Sequence, residues 1–194
     1  MHTGRLVLTP EDAFYVPADI ADLLARLRDI DFIGAHTLPE NGADFLLGER
    51  FMQLVTFMGC SPYIQLKPTE DNQPFCHLKI DGPYTDPVFL GGKNSNAPSC
   101  KACRKRIPQW EALIRAWSKQ PKRYQATCPH CGNRQNPATY NWRQAAGTGR
   151  FFLLVENIFP QEAQPSTALL KTLQGDDDKA WCYFYIQDDG PLIG

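Results

Sequence analysis

The sequence predicts an α+β protein: a mixed sheet with a few packed helices, interrupted by an inserted four-cysteine module. Three observations lead there. An amphipathic helix near the N-terminus is followed by short β-rich runs. The stretch 150–194 reads strand, helix, strand. Between them lie two Cys-x-x-Cys pairs, in a segment whose charge is opposite to that of the remainder.

Taken in order, residues 4–9 form a short strand ended by Pro10. Pro17 suits a first helical turn, and Ile20, Leu23, Leu24, Leu27 and Ile30 follow at helical spacing. Asp19 and Asp22 stand early and Arg26 and Arg28 late, as the helix dipole favours. Residues 43–58 are expected to run strand, turn, helix, because Phe51, Leu54, Val55 and Met58 share a helical face that Gly59 and Pro62 would stop. Segments 63–67 and 75–80 are expected to pair as a hairpin across a polar, proline-flanked turn. Residues 81–99 read as loop, the second half a linker.

A helix over 108–119 places Trp110, Leu113, Ile114 and Trp117 on one inward face and ends at Pro121. Residues 124–127 then form a strand leading into the second cysteine pair. After the loop 145–149, Phe151-Phe-Leu-Leu-Val155 is a continuous apolar run suited to a central strand. Thr167–Leu173 is a helix with Ser166 as N-cap and Gly175 at its exit, and an aspartate turn leads to a strand over 180–187. The expected division is a body made of 1–92 with 150–194, and a basic module, 93–149, inserted into it.

Cys100-Lys-Ala-Cys103 and Cys128-Pro-His-Cys131 stand 24 residues apart. Each pair offers two thiolates from one tight turn, so together they supply the four sulfurs of a tetrahedral site. Gly132 suits such a turn, where the chain takes a positive φ. The stretch 100–132 resembles the zinc-ribbon and rubredoxin-like knuckle modules at the four cysteines, Pro129 and Gly132, and at no other part of the chain. Rubredoxin-type iron sites carry glycine after both pairs, whereas Arg104 follows the first pair here, which favours zinc. The resemblance implies a closed structural Zn2+ site with no coordination position left for water or substrate.

Seven cysteines, four of them in these pairs, fit a reducing compartment, with Cys60, Cys76 and Cys182 as buried free thiols. No apolar run approaches the ~20 residues of a membrane span, and the N-terminus has no signal-like segment, so cytoplasmic residence and no membrane partner are expected. The net charge of −1 conceals a segregation: residues 93–143 hold 11 cations and one acid, Glu111. Four thiolates around a zinc ion return about −2 to that segment without cancelling its positive field.

Catalytic signatures are missing: there is no Gly-x-Ser-x-Gly, His-Glu-x-x-His or Gly-x-Gly-x-x-Gly. Cys76 and His77 adjoin on a strand and point to opposite faces, which disqualifies them as a dyad. Near Lys93, Phe89-Leu-Gly-Gly lacks the leading glycine of a phosphate loop. His130 inside the second pair is expected to be exposed rather than a ligand. Asp176–Asp178, with Asp188 and Asp189, read as a solvated turn and not a cation loop. The functional expectation is therefore a non-enzymatic binding or adaptor protein. Its basic surface, carried by Lys101, Arg104, Lys105, Arg106, Lys119, Lys122 and Arg123, would contact an acidic protein or nucleic acid, the latter with Tyr124, Tyr140 or Trp142 stacking on bases. The alternative is a small enzyme with its site in a cleft between body and module.

Overall fold

Strand β1 (Gly4–Pro10) explains its own sequence. Leu6 and Leu8 enter one core while Val7 enters another on the opposite side, and all three have no exposed surface. The computed structural model describes residues 4–36, 44–58, 64–68, 74–159 and 162–187. Helix α1 (Ile20–Asp29) starts later than the proline suggested, because the Asp19 carboxylate accepts the Asp22 N–H at 2.9 Å and caps it there. Strands β2 (Ile33–His36) and β3 (Asp44–Leu47) follow, then the single-turn helix α2 (Phe51–Leu54) and strand β4 (Val55–Phe57). Next come β5 (His77–Asp81), β6 (Val88–Gly91) and helix α3 (Trp110–Trp117). Short strands β7 (Ala126–Thr127) and β8 (Arg134–Gln135) lead to β9 (Ala146–Gly149) and β10 (Phe152–Ile158). Strand β11 (Ala163–Pro165), helix α4 (Thr167–Gln174) and strand β12 (Trp181–Gln187) complete the described chain.

The class is α+β, with the four cysteines gathered in one cluster. Six strands form the principal sheet in the order β12-β1-β10-β5-β3-β2, and each ladder between neighbours is antiparallel. Strands β10 and β12 are thus parallel to each other with β1 between them, and α4 makes the split crossover. Ser166 caps α4 through the Leu169 N–H, as its sequence implies. Helices α1 and α4 bury Leu23, Leu27, Leu169 and Leu173 on one face of the sheet. On the other face β6 packs Leu90 against Val7, Phe152, Leu154 and Phe184. Strand β10 is buried on both sides, which accounts for its unbroken apolar run.

Four local expectations are corrected. The helix expected up to residue 58 stops after one turn. Val55 and Thr56, β-branched, and Phe57 pair instead with β11, and Met52 and Met58 are left 39% and 58% exposed. Gly59 and Pro62 lie outside the described residues, as does Cys60. The hairpin of 63–67 with 75–80 does not form as two strands. Residues 64–68 are irregular and touch the Cys76 N–H through the Gln65 carbonyl, while β5 pairs with β10 and β3. The turn residues 69–73 are outside the described set. The loops 81–99 and 145–149 contain β6 and β9, paired Val88↔Gly149 through Gly91↔Ala146. Their glycines concealed them: a Cβ on Gly147 would lie 2.3 Å from the Phe184 ring, so close packing and not loop flexibility selects glycine there. The strand expected over 124–127 is limited to Ala126–Thr127.

The outer edge of β12 is closed by the segment leading into the cysteine module. Lys93 N–H donates to Gln187 O, Asn94 Nδ2 to Tyr185 O, and Gln187 N–H to Asn94 Oδ1. The Tyr185 N–H is taken by Gln144 O at 2.9 Å.

Candidate metal centre and the adjoining cleft

The two cysteine pairs fold into the same turn. In the first, Cys100 N–H donates to Lys105 O and Arg104 N–H to Cys100 O, at 3.0 and 2.9 Å. In the second, Cys128 N–H donates to Asn133 O and Gly132 N–H to Cys128 O, at 2.9 and 3.0 Å. Arg104 and Gly132 hold equivalent positions with φ of 60° and 71°. Strands β7 and β8 flank the second turn, and the Ser99–Arg106 bridge flanks the first. Equivalent turns facing each other present equivalent sulfurs.

All four Sγ atoms lie within 4.8 Å of one another. Cys100 and Cys131 are 3.9 Å apart and Cys103 and Cys128 3.8 Å apart. A tetrahedral ion with sulfur at about 2.3 Å has edges of about 3.8 Å, while a disulfide needs about 2.05 Å. The thiols are therefore unbridged and spaced for a metal ion. Burial tends to raise the Cys128 thiol, but N–H groups of His130 and Cys131 and the neighbouring thiols outweigh it and bring the group down to about 6. Cys131 accepts the Asn133 N–H, which favours its thiolate, yet burial and side-chain hydrogen bonds with Cys128, Cys103 and Cys100 push it up to about 11.

Beneath the sulfurs lies the module's own core of Ile107, Ile114, Trp117, Tyr140 and Trp142, joined by Phe89 from β6 and Ala146 from β9. The tryptophan stripe of α3 packs inward as its spacing predicted. Trp117 donates its indole N–H to Asn136 Oδ1 at 2.8 Å, and Trp110 meets Trp142 edge-on at 5.2 Å between centroids. His130 is exposed and contacts the Arg106 carbonyl at 3.0 Å, linking the two turns and standing outside the four-cysteine group.

The structure divides the seven cations proposed from sequence. All are exposed. Lys122 pairs with Asp86 across 2.8 Å. Lys101 and Arg104 line a cleft of about 770 Å3, whereas Lys105, Arg106, Lys119, Lys122 and Arg123 lie outside it. This cleft is lined by the β1–α1 connection with Glu11 and Asp12, the start of β12, the first cysteine turn and the segment 138–148. Arg143 joins Lys101 and Arg104 there. No sequence spacing links 11–14, 99–104 and 138–148, so the cleft has no one-dimensional signature. Tyr140 and Trp142, named above for base stacking, are only 5% and 6% exposed, and Tyr124 is half-buried.

The remaining candidates do not assemble. Cys76 is 1% exposed within the main core, with burial and Glu156 pushing its thiol to about 12. His77 turns its Nδ1 toward Phe75 O. Cys182, expected to be buried, is half-buried and lines the cleft, where partial burial and Glu11 raise it to about 11. Asp177 accepts the Tyr15 hydroxyl and Asp178 the Gln174 amide, so the aspartate run does not converge; Asp188 and Asp189 are outside the described residues. Among the described residues the four cysteines are the one metal-competent group of three or more, and no helix is long and apolar enough to cross a membrane. No protein-family model, curated protein or solved structure matches the chain.

Proposed function

We propose that this chain is a non-enzymatic adaptor built around a structural zinc ion, whose module, 93–149, presents a basic face to an acidic protein partner in the cytoplasm. The observation that carries the metal reading is the sulfur spacing of 3.8–3.9 Å across the facing turns. Cys100, Cys103, Cys128 and Cys131 would hold the ion, which would replace the missing polar core between the turns and fold the module by linkage. Zinc fits an all-sulfur, redox-silent site, and the strained Arg104 after the first pair sets it apart from the glycine-paired iron sites.

Burial of Tyr140 and Trp142 leaves only the half-buried Tyr124 of the three rings a single-stranded nucleic acid would stack on, which favours a protein partner. The Lys122–Asp86 pair is an internal instance of this face meeting a carboxylate. Metal analysis of protein purified without added metal should give one zinc per chain, and iron or no metal would defeat the first half of the proposal. Binding to a poly-glutamate peptide should fall as salt rises and vanish in the charge reversal Lys105→Glu/Arg106→Glu/Lys119→Glu, while duplex DNA and RNA give no gel shift. A salt-sensitive shift lost in the same variant would replace the protein partner with nucleic acid.

A further inference from the structure

We propose that the cleft between the β1–α1 connection and the first cysteine turn binds a small dipolar molecule, its phosphate or carboxylate held by Lys101, Arg104 and Arg143 and its amino end facing Glu11 and Asp12. This site is separate from the outer basic face and does not depend on what that face binds.

Size is the first argument. A volume of about 770 Å3 falls within the roughly 300–1,000 Å3 of small-molecule sites. Charge is the second. Three cations line the cleft, and among the described residues none of them pairs with a carboxylate. Arg143 is nonetheless held in place. Its Nη2 donates to Ser99 Oγ at 3.1 Å and its backbone N–H to Asn141 Oδ1 at 2.9 Å. The rest of the guanidinium fork stays available for an anion. Glu11 and Asp12 line the same cleft, where they disfavour a polyanion and provide acceptors for an amino group.

Backbone strain is the third argument. Arg104, Arg143 and Gln144 have φ of 60°, 51° and 62°, and all three line this cleft. Arginine and glutamine gain nothing locally from the left-handed region, unlike asparagine or glycine. The second cysteine turn shows the unstrained solution, with Gly132 at the position of Arg104 and open space where its side chain would be. A turn that keeps arginine where glycine is easier has a use for that side chain, and strain of this kind gathers at ligand clamps.

The test is an amide-resolved NMR titration of the zinc-loaded full chain with four probes: inorganic phosphate, succinate, O-phosphoserine and glutamate. Saturable shifts are expected at the amides of 99–104 and 141–144 with all four, and tighter binding of the two amino-bearing probes. Arg143→Gln should weaken binding about tenfold, the equivalent of one charge-assisted hydrogen bond. Arg104→Gly should weaken it by a similar factor while the protein melts higher, an opposition that a purely structural role would not produce. Lys119→Gln, on the outer face, should leave affinity unchanged. The site is refuted if no probe saturates at tens of millimolar, if shifts gather at 119–123, or if Arg143→Gln binds like the parent. Equal affinity for succinate and glutamate would refute the role of Glu11 and Asp12.

Discussion

Exchanging the fifth residue of the two cysteine turns should move stability in opposite directions. Arg104 and Gly132 make the same backbone hydrogen bond and take the same left-handed conformation, φ 60° and 71°. A residue with a Cβ pays about 1–2 kcal/mol in that region. Arg104→Gly removes this strain, offset by about 0.5–1 kcal/mol from the greater freedom glycine gives the unfolded chain. The net expectation is a gain of between zero and about 1.5 kcal/mol, at about 2–4 °C in melting temperature per kcal/mol for a chain of this size. Gly132→Ala reverses each step. Since a Cβ there meets no atom within 4 Å, the cost is conformational alone, again about 1 kcal/mol. The double variant should return close to the parent, within about 0.5 kcal/mol. Urea unfolding at a buffered free-zinc concentration measures all three. Destabilisation by Arg104→Gly, or indifference to Gly132→Ala, would show that the turns are not equivalent.

Further expectations concern the cluster and the packing around it. Cys103→Ser or Cys131→Ser should lose stoichiometric zinc and expose the module to limited proteolysis, since metal binding and folding are linked; full zinc retention by either variant would contradict the site. Cys128 is held at about 6 against an ordinary 9.0, so its contribution to stability is complete above 9.0 and lost as pH falls through about 6. Metal release followed with a chromophoric chelator should rise as pH falls, because protons compete with the ion for all four thiolates, and a site still loaded at about pH 4 would exclude this account. Chelation at neutral pH should open the four cluster thiols to alkylation, while Cys76, buried in the main core and raised to about 12, reacts slowly with or without metal. Gly147→Ala should cost about 1–3 kcal/mol by thermal melting because its methyl meets the Phe184 ring, and the penalty should shrink in a Phe184→Ala background.

What could be read from one dimension was whatever depends on neighbours in sequence. The helical spacing of Leu23 and Leu27, the cap at Ser166, the two-faced burial of β10 and the pairing of the cysteine turns are all of that kind. Strands β6 and β9 escaped because Ala146-Gly-Thr-Gly149 has no apolar alternation; its glycines answer to the Phe184 ring and the Thr9 hydroxyl, which are distant in sequence. Val55–Phe57 changed state for a similar reason, a ladder with β11 more than a hundred residues away overruling a plausible helical face. Charge was legible as a total but not as a surface. Only the fold sets Lys101 and Arg104 apart from the other five cations and places Arg143 beside them.

The closure of β12 by Lys93, Asn94 and Gln144 bears on how the chain can be cut. A bare strand rich in tyrosine, phenylalanine and isoleucine is a template for association with other chains, and here the entry and exit of the cysteine module serve as its sealing strip. Deleting 93–149 would unseal that border and strip β6 of its β9 partner. The trimmed protein should come out of the cell as aggregate, so dissection of this molecule is better done by point substitution than by truncation.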